Sequence, residues 1–409
     1  MRSILRLFLC FFLQAAVFCV YGQENLQKLR GDAEKGNAEA QYILGTYLFS
    51  GEKIKEDRSA AVKLFEKSAE QGYVKAQRKL GMCLCGGYGI KKNIAEGLKW
   101  LSKAEKQGDA IAAYSLGGRY FYGDGVEKNV DLAAMYFRKA AEMGDADAQK
   151  VLGLCYEGGI GVPKDAVQAV KWYTKAAEQE EPGAQFNLAQ CYMAGKGIKE
   201  NIEKAVFWYK KAAEKGDPMA QHRLGQLYAS GTGVEENIGK AFELFKKSAE
   251  QKDADGQLSY GCCFYDGRGV KQDNALGVQW IKKSAEQGNS QAQYLLGMIC
   301  IKDYKKFEEA VYWYKKAAVQ GNIEAQFELS GMYFHGVGTK QNYSEAYKWC
   351  KLAAERGSIV AQYDLGVYYL KGKGTEKDYK LAVKWFRKAA SQGNEAATKA
   401  LQKLGEKLK

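Results

Sequence analysis

Residues 144–179 read GDADAQKVLGLCYEGGIGVPKDAVQAVKWYTKAAEQ, and this stretch decides the fold. Ala148, Leu152 and Tyr156 recur four residues apart, the spacing of one helix face. Gly159-Ile160-Gly161-Val162 then breaks the pattern, and Asp165 offers a side-chain cap for a new helix. Ala169, Trp172, Tyr173 and Ala176-Ala177 resume a helical period. The unit is helix A, a glycine turn, then helix B. All seven tryptophans of the chain fall at its Trp172 position: Trp100, Trp172, Trp208, Trp280, Trp313, Trp349 and Trp385. Their separations of 72, 36, 72, 33, 36 and 36 residues fix a period of 36, with one unit three residues short. Self-similarity at this length marks a stacked-repeat architecture, in which each unit buries its apolar face on the next. The expected fold is therefore all-α, a right-handed α-solenoid of about ten helix-loop-helix repeats of 36 residues.

The punctuation is regular. Each helix A opens on a Gly followed by Asn, Asp or Ser, as at Gly36-Asn37, Gly144-Asp145 and Gly357-Ser358. The glycine suits the left-handed end of the preceding helix, and the polar side chain accepts from the first free N–H groups of the next. Three junctions depart from this form, at Tyr73, Glu180-Glu181 and Lys252-Asp253. A small residue follows the helix A leucine, as at Gly45, Gly81, Gly153 and Ala189, and predicts close helix approach. Eight units carry a Gly-x-Gly loop; the first has Gly51-Glu52-Lys53 instead, and the short unit around Lys302–Lys306 has none. These loops lack the preceding strand and the Lys-Ser/Thr ending of a phosphate cradle, so they read as structural turns. A lysine three residues after the Trp position, such as Lys175 or Lys283, complements the helix dipole.

The boundaries follow. Residues 1–22 combine Arg2 and Arg6, an apolar run of about 14 residues from Leu7 to Val20, and a polar start at Gln23. That is the layout of a secretory signal peptide, and the run is short of the ~20 apolar residues that span a bilayer. Export to a periplasm or the exterior is expected, with no stable membrane insertion after cleavage. Residues 23–36 read as an N-terminal capping helix, 37–393 as the ten repeats, and 394–409 as a C-terminal capping helix with a basic tail. Cleavage removes two arginines and no acids, so the formal charge of +13 becomes about +11. The lysines are spread along the repeats and not gathered into a stripe, which argues against a nucleic-acid partner. Eight cysteines remain after residue 22. Cys83, Cys155, Cys191 and Cys263 share one repeat position with Leu227, Ile299 and Met332, so that position reads as packing and few or no disulfides are expected.

Ala-Gln-Tyr-x-Leu-Gly, then Gly-x-Gly-Val, a capping Asp or Asn, and Trp-Tyr-x-Lys-Ala-Ala-Glu-Gln-Gly together resemble the Sel1-like repeat. Ala292–Gly297 and Ala361–Gly366 are near-literal copies of its opening. The resemblance covers the chain after residue 22. It implies a tetratricopeptide-related α-solenoid acting as a scaffold or adaptor for a protein or peptide. One secreted, cysteine-rich branch of that family is linked to penicillin binding and weak β-lactamase activity. Its bridged pair in each repeat is missing here, where most repeats hold one cysteine or none.

Catalytic chemistry finds little support. His222 and His335 lie in different repeats without ligand partners at metal-like spacing, so neither a metal nor a cofactor is assigned. Ser50-Gly51-Glu52-Lys53 matches the Ser-x-x-Lys letters of penicillin-recognising enzymes but has no companion motif. A β-lactamase-like hydrolase is the alternative function. The leading candidate site is a stripe on helix A. Two residues before the leucine it carries Tyr42, Arg78, Tyr114, Lys150, Phe186, His222, Tyr294, Phe327 and Tyr363. Seven residues further it carries Phe49, Phe121, Tyr265 and Phe334. In related solenoids this face is concave. The rings either pack between neighbouring units or form an aromatic floor for a peptide, with Arg78, Lys150 and His222 selecting an acidic partner.

Overall fold

The computed structural model describes residues 25–407, all of whose regular elements are helices. The signal-peptide assignment for residues 1–22 lies outside the described residues. The chain forms two compact bodies, one through Ala205 and one from Val206. In the first, residues 25–34 form a helix. The pairs Ala38–Ser50 with Arg58–Glu70, Val74–Gly86 with Ile94–Lys106, Ala110–Tyr122 with Val130–Glu142, and Ala146–Gly158 with Ala166–Glu178 follow, then helix A Pro182–Ala194. Helix B Ile202–Glu214 spans the division between the bodies. The second body continues with Pro218–Ser230 and Ile238–Glu250, Ala254–Asp266 and Asn274–Glu286, and Ser290–Lys302 and Phe307–Val319. It ends with Ile323–His335 and Tyr343–Glu355, Ile359–Lys371 and Tyr379–Ala390, and the helix Glu395–Lys407. Within each body every helix packs on the one before it, the stacked-pair arrangement of an all-α solenoid.

The caps form as the sequence indicates. Asn37, Asp109, Asp145, Asn289 and Asn322 each accept an N–H from the first turn of helix A. At two of the irregular junctions Glu181 and Asp253 keep that bond, while Tyr73 makes none. The missing junction glycine has a consequence, since Glu180 and Lys252 are held at φ 64° and 67°, the left-handed region that favours glycine. The second loop glycine is required by contact as well as by conformation. Gly374 has φ 68°, and a Cβ there would lie 1.9 Å from the Tyr343 carbonyl oxygen of the preceding helix B.

The core differs in one respect from its expected anchor. Trp172, Trp313 and Trp349 are buried, but Trp100, Trp208, Trp280 and Trp385 are only half-buried. The deeper position is the next residue, occupied by Phe65, Leu101, Phe137, Tyr173, Phe245, Ile281, Tyr314 and Phe386 among others, all buried. These side chains fill the space left by the small helix A residue. A Cβ on Gly153 would fall 2.5 Å from the Tyr173 ring, and one on Gly366 2.6 Å from the Phe386 ring. The helix-propensity cost of glycine, about 1 kcal/mol, is thus offset by seating a large side chain directly on the backbone. The indole lies one step outward and is covered by the recurring lysine: Nζ of Lys283 sits 3.6 Å from the Trp280 ring centre, and that of Lys103 3.8 Å from Trp100. The dipole reading of those lysines therefore omits a cation–π contact.

A buried glutamine ladder ties consecutive helices together. Gln77 on helix A donates through Nε2 to the Ala69 carbonyl at the end of the preceding helix B, at 3.2 Å. Its Oε1 accepts from Gln107, thirty residues on, at 2.7 Å. The same bonds recur at Gln149 with Gln179, Gln257 with Gln287, and Gln362 with Gln392. The third repeat drops both members, Ala113 standing opposite Met143, whereas Gln326 is kept with Arg356 at the partner position. At the start, Gln41 donates to the Ala33 carbonyl, so the helix 25–34 offers the same acceptor as a helix B.

Candidate interaction surface on the A helices

The thirteen candidate residues divide by burial. Phe186 and His222 are buried, at 6 % and 5 % exposure, and have no free face to offer a partner. The other eleven are half-buried. In the first body Tyr42 and Phe49 both tilt against Phe65, with ring centres 6.0 and 6.2 Å away. Tyr114 and Phe121 do the same against Phe137, at 5.6 and 6.4 Å. In the second, Tyr294 lies 5.8 Å from Tyr314, and Tyr363 lies 5.6 Å from Phe386. Each of these rings covers the deep helix B residue of its own repeat. One edge joins the core, and the remainder reaches the surface. Tyr42 also meets Tyr73 at the junction, 5.4 Å away, Phe334 lies 5.7 Å from Tyr368 of the next repeat, and Tyr265 donates its hydroxyl to Asp303.

The charged members are occupied internally. Arg78 donates to both oxygens of Asp109, at 2.9 and 3.1 Å. Lys150 reaches Glu181 at 2.7 Å and Asp147 at 3.2 Å. Asp109 and Glu181 are the capping residues of the next helix A, so the basic side chain replaces a ring contact with an ion pair between repeats. His222 Nε2 lies 2.9 Å from Ser259 Oγ, and burial holds its imidazole below the usual range despite the nearby Asp255 and Asp253. The expectation that these three residues select an acidic partner therefore loses its physical basis.

The remaining motifs are likewise absorbed by the fold. Lys53 Nζ lies 3.0 Å from Tyr47 Oη, while Ser50 Oγ accepts from the Glu52 N–H at 3.3 Å, so the Ser-x-x-Lys pair is not brought together. The eight described cysteines are free thiols, seven of them buried. Burial pushes Cys83 up to about 11 and Cys262 up to about 12, which keeps them protonated and poorly nucleophilic at neutral pH.

One feature of this face was not legible as a motif. A cavity of about 220 Å³ opens between the ninth and tenth A helices, walled by Phe327, Phe334 and Tyr368, with Glu328 and Asp364 on its sides. A neighbouring hollow of about 370 Å³ shares Phe327 and Glu328 and extends to Tyr294 and Glu324. Burial pushes the Asp364 carboxyl up to about 6 and also raises that of Glu328. Among the described residues, neither forms a hydrogen bond or ion pair.

The period, the caps and the stacked pairs coincide with a family pattern. The Sel1 repeat model matches ten consecutive segments, 38–73, 74–109, 110–145, 146–181, 182–217, 218–253, 254–289, 290–322, 323–358 and 359–394. The chain belongs to the Sel1 repeat family. Among solved structures it is similar to c5321, described as a protective antigen present in uropathogenic Escherichia coli strains displaying an SLR fold. The two share 32% identity over 94% of this chain and 91% of that one, with a TM-score of 0.61. It is also similar in sequence to a Sel1 repeat protein from Oxalobacter formigenes, at 30% identity over 92% and 89% of the two chains, with a TM-score of 0.40. No curated protein matches the chain. Sel1 repeat proteins are generally protein–protein interaction scaffolds and are typically non-catalytic. Among the described residues no helix is long and apolar enough to cross a membrane.

Proposed function

We propose that this Sel1 repeat chain is an exported scaffold that binds a protein or peptide through the exposed side of its A helices. The observation that carries this reading is the set of half-buried rings on the A helices of each body. Tyr42, Phe49, Tyr114, Phe121, Tyr265, Tyr294, Phe327, Phe334 and Tyr363 are rigid because one side is seated in the core, and each keeps surface free. Rigid aromatic area of this kind binds with little side-chain ordering cost. Arg78 and Lys150 position neighbouring repeats instead of contacting the partner, and Phe186 and His222 support the floor from beneath.

The test is photo-crosslinking from a probe amino acid placed at Tyr114 or Tyr363, in cells that export the chain, with the same probe at the half-buried Trp100 on helix B as the comparison. A partner captured from the A-helix positions and not from Trp100 is expected. Capture equal from both faces, or none from either, would overturn the reading. Export itself is checked by the N-terminal sequence of the mature chain, expected to begin at Gln23.

A further inference from the structure

Two carboxyls on the A helices stand out. Glu157, on helix A Ala146–Gly158, is also partly enclosed. Burial alone would raise its carboxyl, but bonds from Lys196 at 2.6 Å and the Tyr173 hydroxyl at 2.6 Å outweigh that and hold it below the usual range. Glu181 and Asp109 have Lys150 and Arg78. Asp364 and Glu328 have no such partner. They occupy the same position in successive repeats, one residue before Leu365 and Leu329, and both line the cavity between the two helices. Asp364 is half-buried inside it, whereas Glu328 stands at the opening to the neighbouring hollow. The rings of Phe327, Phe334 and Tyr368 line it too, as do His335, Lys371 and Lys373.

We propose that this cavity receives an arginine side chain from an extended segment of the protein partner. The proposal rests on the interaction reading above and reverses the charge expected of that partner. A guanidinium matches the cavity on two counts: it stacks on aromatic faces, and it donates in pairs to carboxylates. A carboxylate enclosed without a partner gains more from an arriving cation than an exposed one, because water has already been displaced from it. The ring chemistry is already used in the cavity's own lining, where Lys373 Nζ lies 4.7 Å from the ring centres of Phe334 and Tyr343. Lys371 and Lys373 both line the cavity, yet neither forms an ion pair with Asp364 or Glu328 among the described residues. The adjoining hollow, with Glu324 and Tyr294, continues the groove one repeat back and suits an extended chain better than a compact molecule.

The experiment uses the full chain after signal removal and a fluorescein-labelled, end-blocked hexapeptide of alternating arginine and serine. The comparison peptide carries citrulline, which keeps the shape and loses the charge. Fluorescence anisotropy at low salt is expected to show binding of the arginine peptide that weakens about tenfold or more with citrulline, and similarly with Asp364→Asn or Glu328→Gln. Glu235→Gln, an exposed loop carboxyl elsewhere, should leave it unchanged. Both test variants should melt at or above the parent temperature, which separates lost binding from lost folding. Equal binding of the two peptides, no binding of either, or full binding to Asp364→Asn would overturn the proposal. So would competition by free arginine as effective as by the unlabelled peptide, which would mark a small-molecule site. Partner crosslinking at Tyr114 and Tyr363 that survives Asp364→Asn would sink the arginine pocket alone, whereas loss of crosslinking in the parent chain would sink the interaction reading beneath it.

Discussion

Gln326 holds a buried Oε1 with no hydrogen bond, although its Nε2 donates to Ala318 at 3.0 Å as the rest of the ladder does. The cause is thirty residues away. Arg356 stands where Gln107, Gln179 and Gln392 stand elsewhere, and a guanidinium so placed reaches the Gly321 carbonyl at 2.8 Å instead. Gln251 shows that a glutamine serves both acceptors, donating to Gly216 and to Gln221 at 2.9 Å each. Arg356→Gln is therefore expected to stabilise the chain by about 1 kcal/mol, measured by urea unfolding, because it satisfies a buried acceptor without losing the Gly321 bond. Asp364 makes a second residue-scale case. Its carboxyl titrates at about 6 in the folded chain, against about 4 when unfolded. Below pH ~4 it is protonated in both states. As pH rises towards 6 the unfolded chain loses the proton first, so stability falls, by up to ~3 kcal/mol, and then levels off. The groups facing it are Glu328 and His335 on the ninth helix A, Tyr368 and Lys371 on its own helix, Lys373 beyond it and Cys350 on helix B. Asp364→Asn should flatten this acid-side slope in unfolding measured from pH 4 to 7; an unchanged slope would show that Asp364 is ordinarily solvated. Neither residue was legible from the sequence. The ladder glutamine lies inside the repeat motif, but its partner is thirty positions off, and only the joint loss at Ala113 and Met143 signals the pair.

At the scale of the helix, the sequence identified both members of each pair, their caps and their turns, because these depend on local rules: a polar cap, a left-handed glycine, a four-residue apolar period. It misplaced the depth of burial within helix B. Tryptophan is rare and recurs at one position, which draws attention to that position, whereas the next one is filled by Phe, Leu, Tyr, Ile or Cys and shows no single letter to follow. Depth is set instead by the small residue facing it on helix A. Phe386 is fully buried on Gly366, while Trp385 is half-buried beneath Lys388, whose Nζ lies 5.0 Å from its ring centre. Phe386→Ala should cost about 3–5 kcal/mol. Trp385→Ala should cost less than half as much, since the ring already meets solvent and its loss opens no enclosed cavity. Denaturant unfolding of the two variants decides the order, and a larger loss at Trp385 would restore the indole as the anchor. The same reasoning explains why the candidate stripe was only partly readable. Period and spacing place a side chain on the A-helix face, but whether Arg78 or Lys150 points to solvent depends on which cap the next repeat presents thirty-one residues later.

For the molecule as a whole, stability is carried by contacts between successive helices, so a change at one end should remain there. In a nearest-neighbour stack each unit protects only those beside it. The helix Glu395–Lys407 packs on the preceding helix Tyr379–Ala390. It buries Ala397 completely and lays Leu401 and Leu404 on the cluster that holds Phe386 and Ala389. Asn394 caps it through a 2.9 Å bond from the Ala397 N–H, so the element begins like any other helix A. It turns Lys399, Gln402 and Lys403 outward, all three exposed. Removing residues 395–409 should uncover the apolar side of Tyr379–Ala390. Amide exchange there should rise by orders of magnitude, while protection in Ala38–Ser50 and the other helices before Ala205 stays as it was. Exchange that rose evenly through every repeat would mean that the chain unfolds as a single cooperative block, and the additive picture drawn from its 36-residue period would have to be given up.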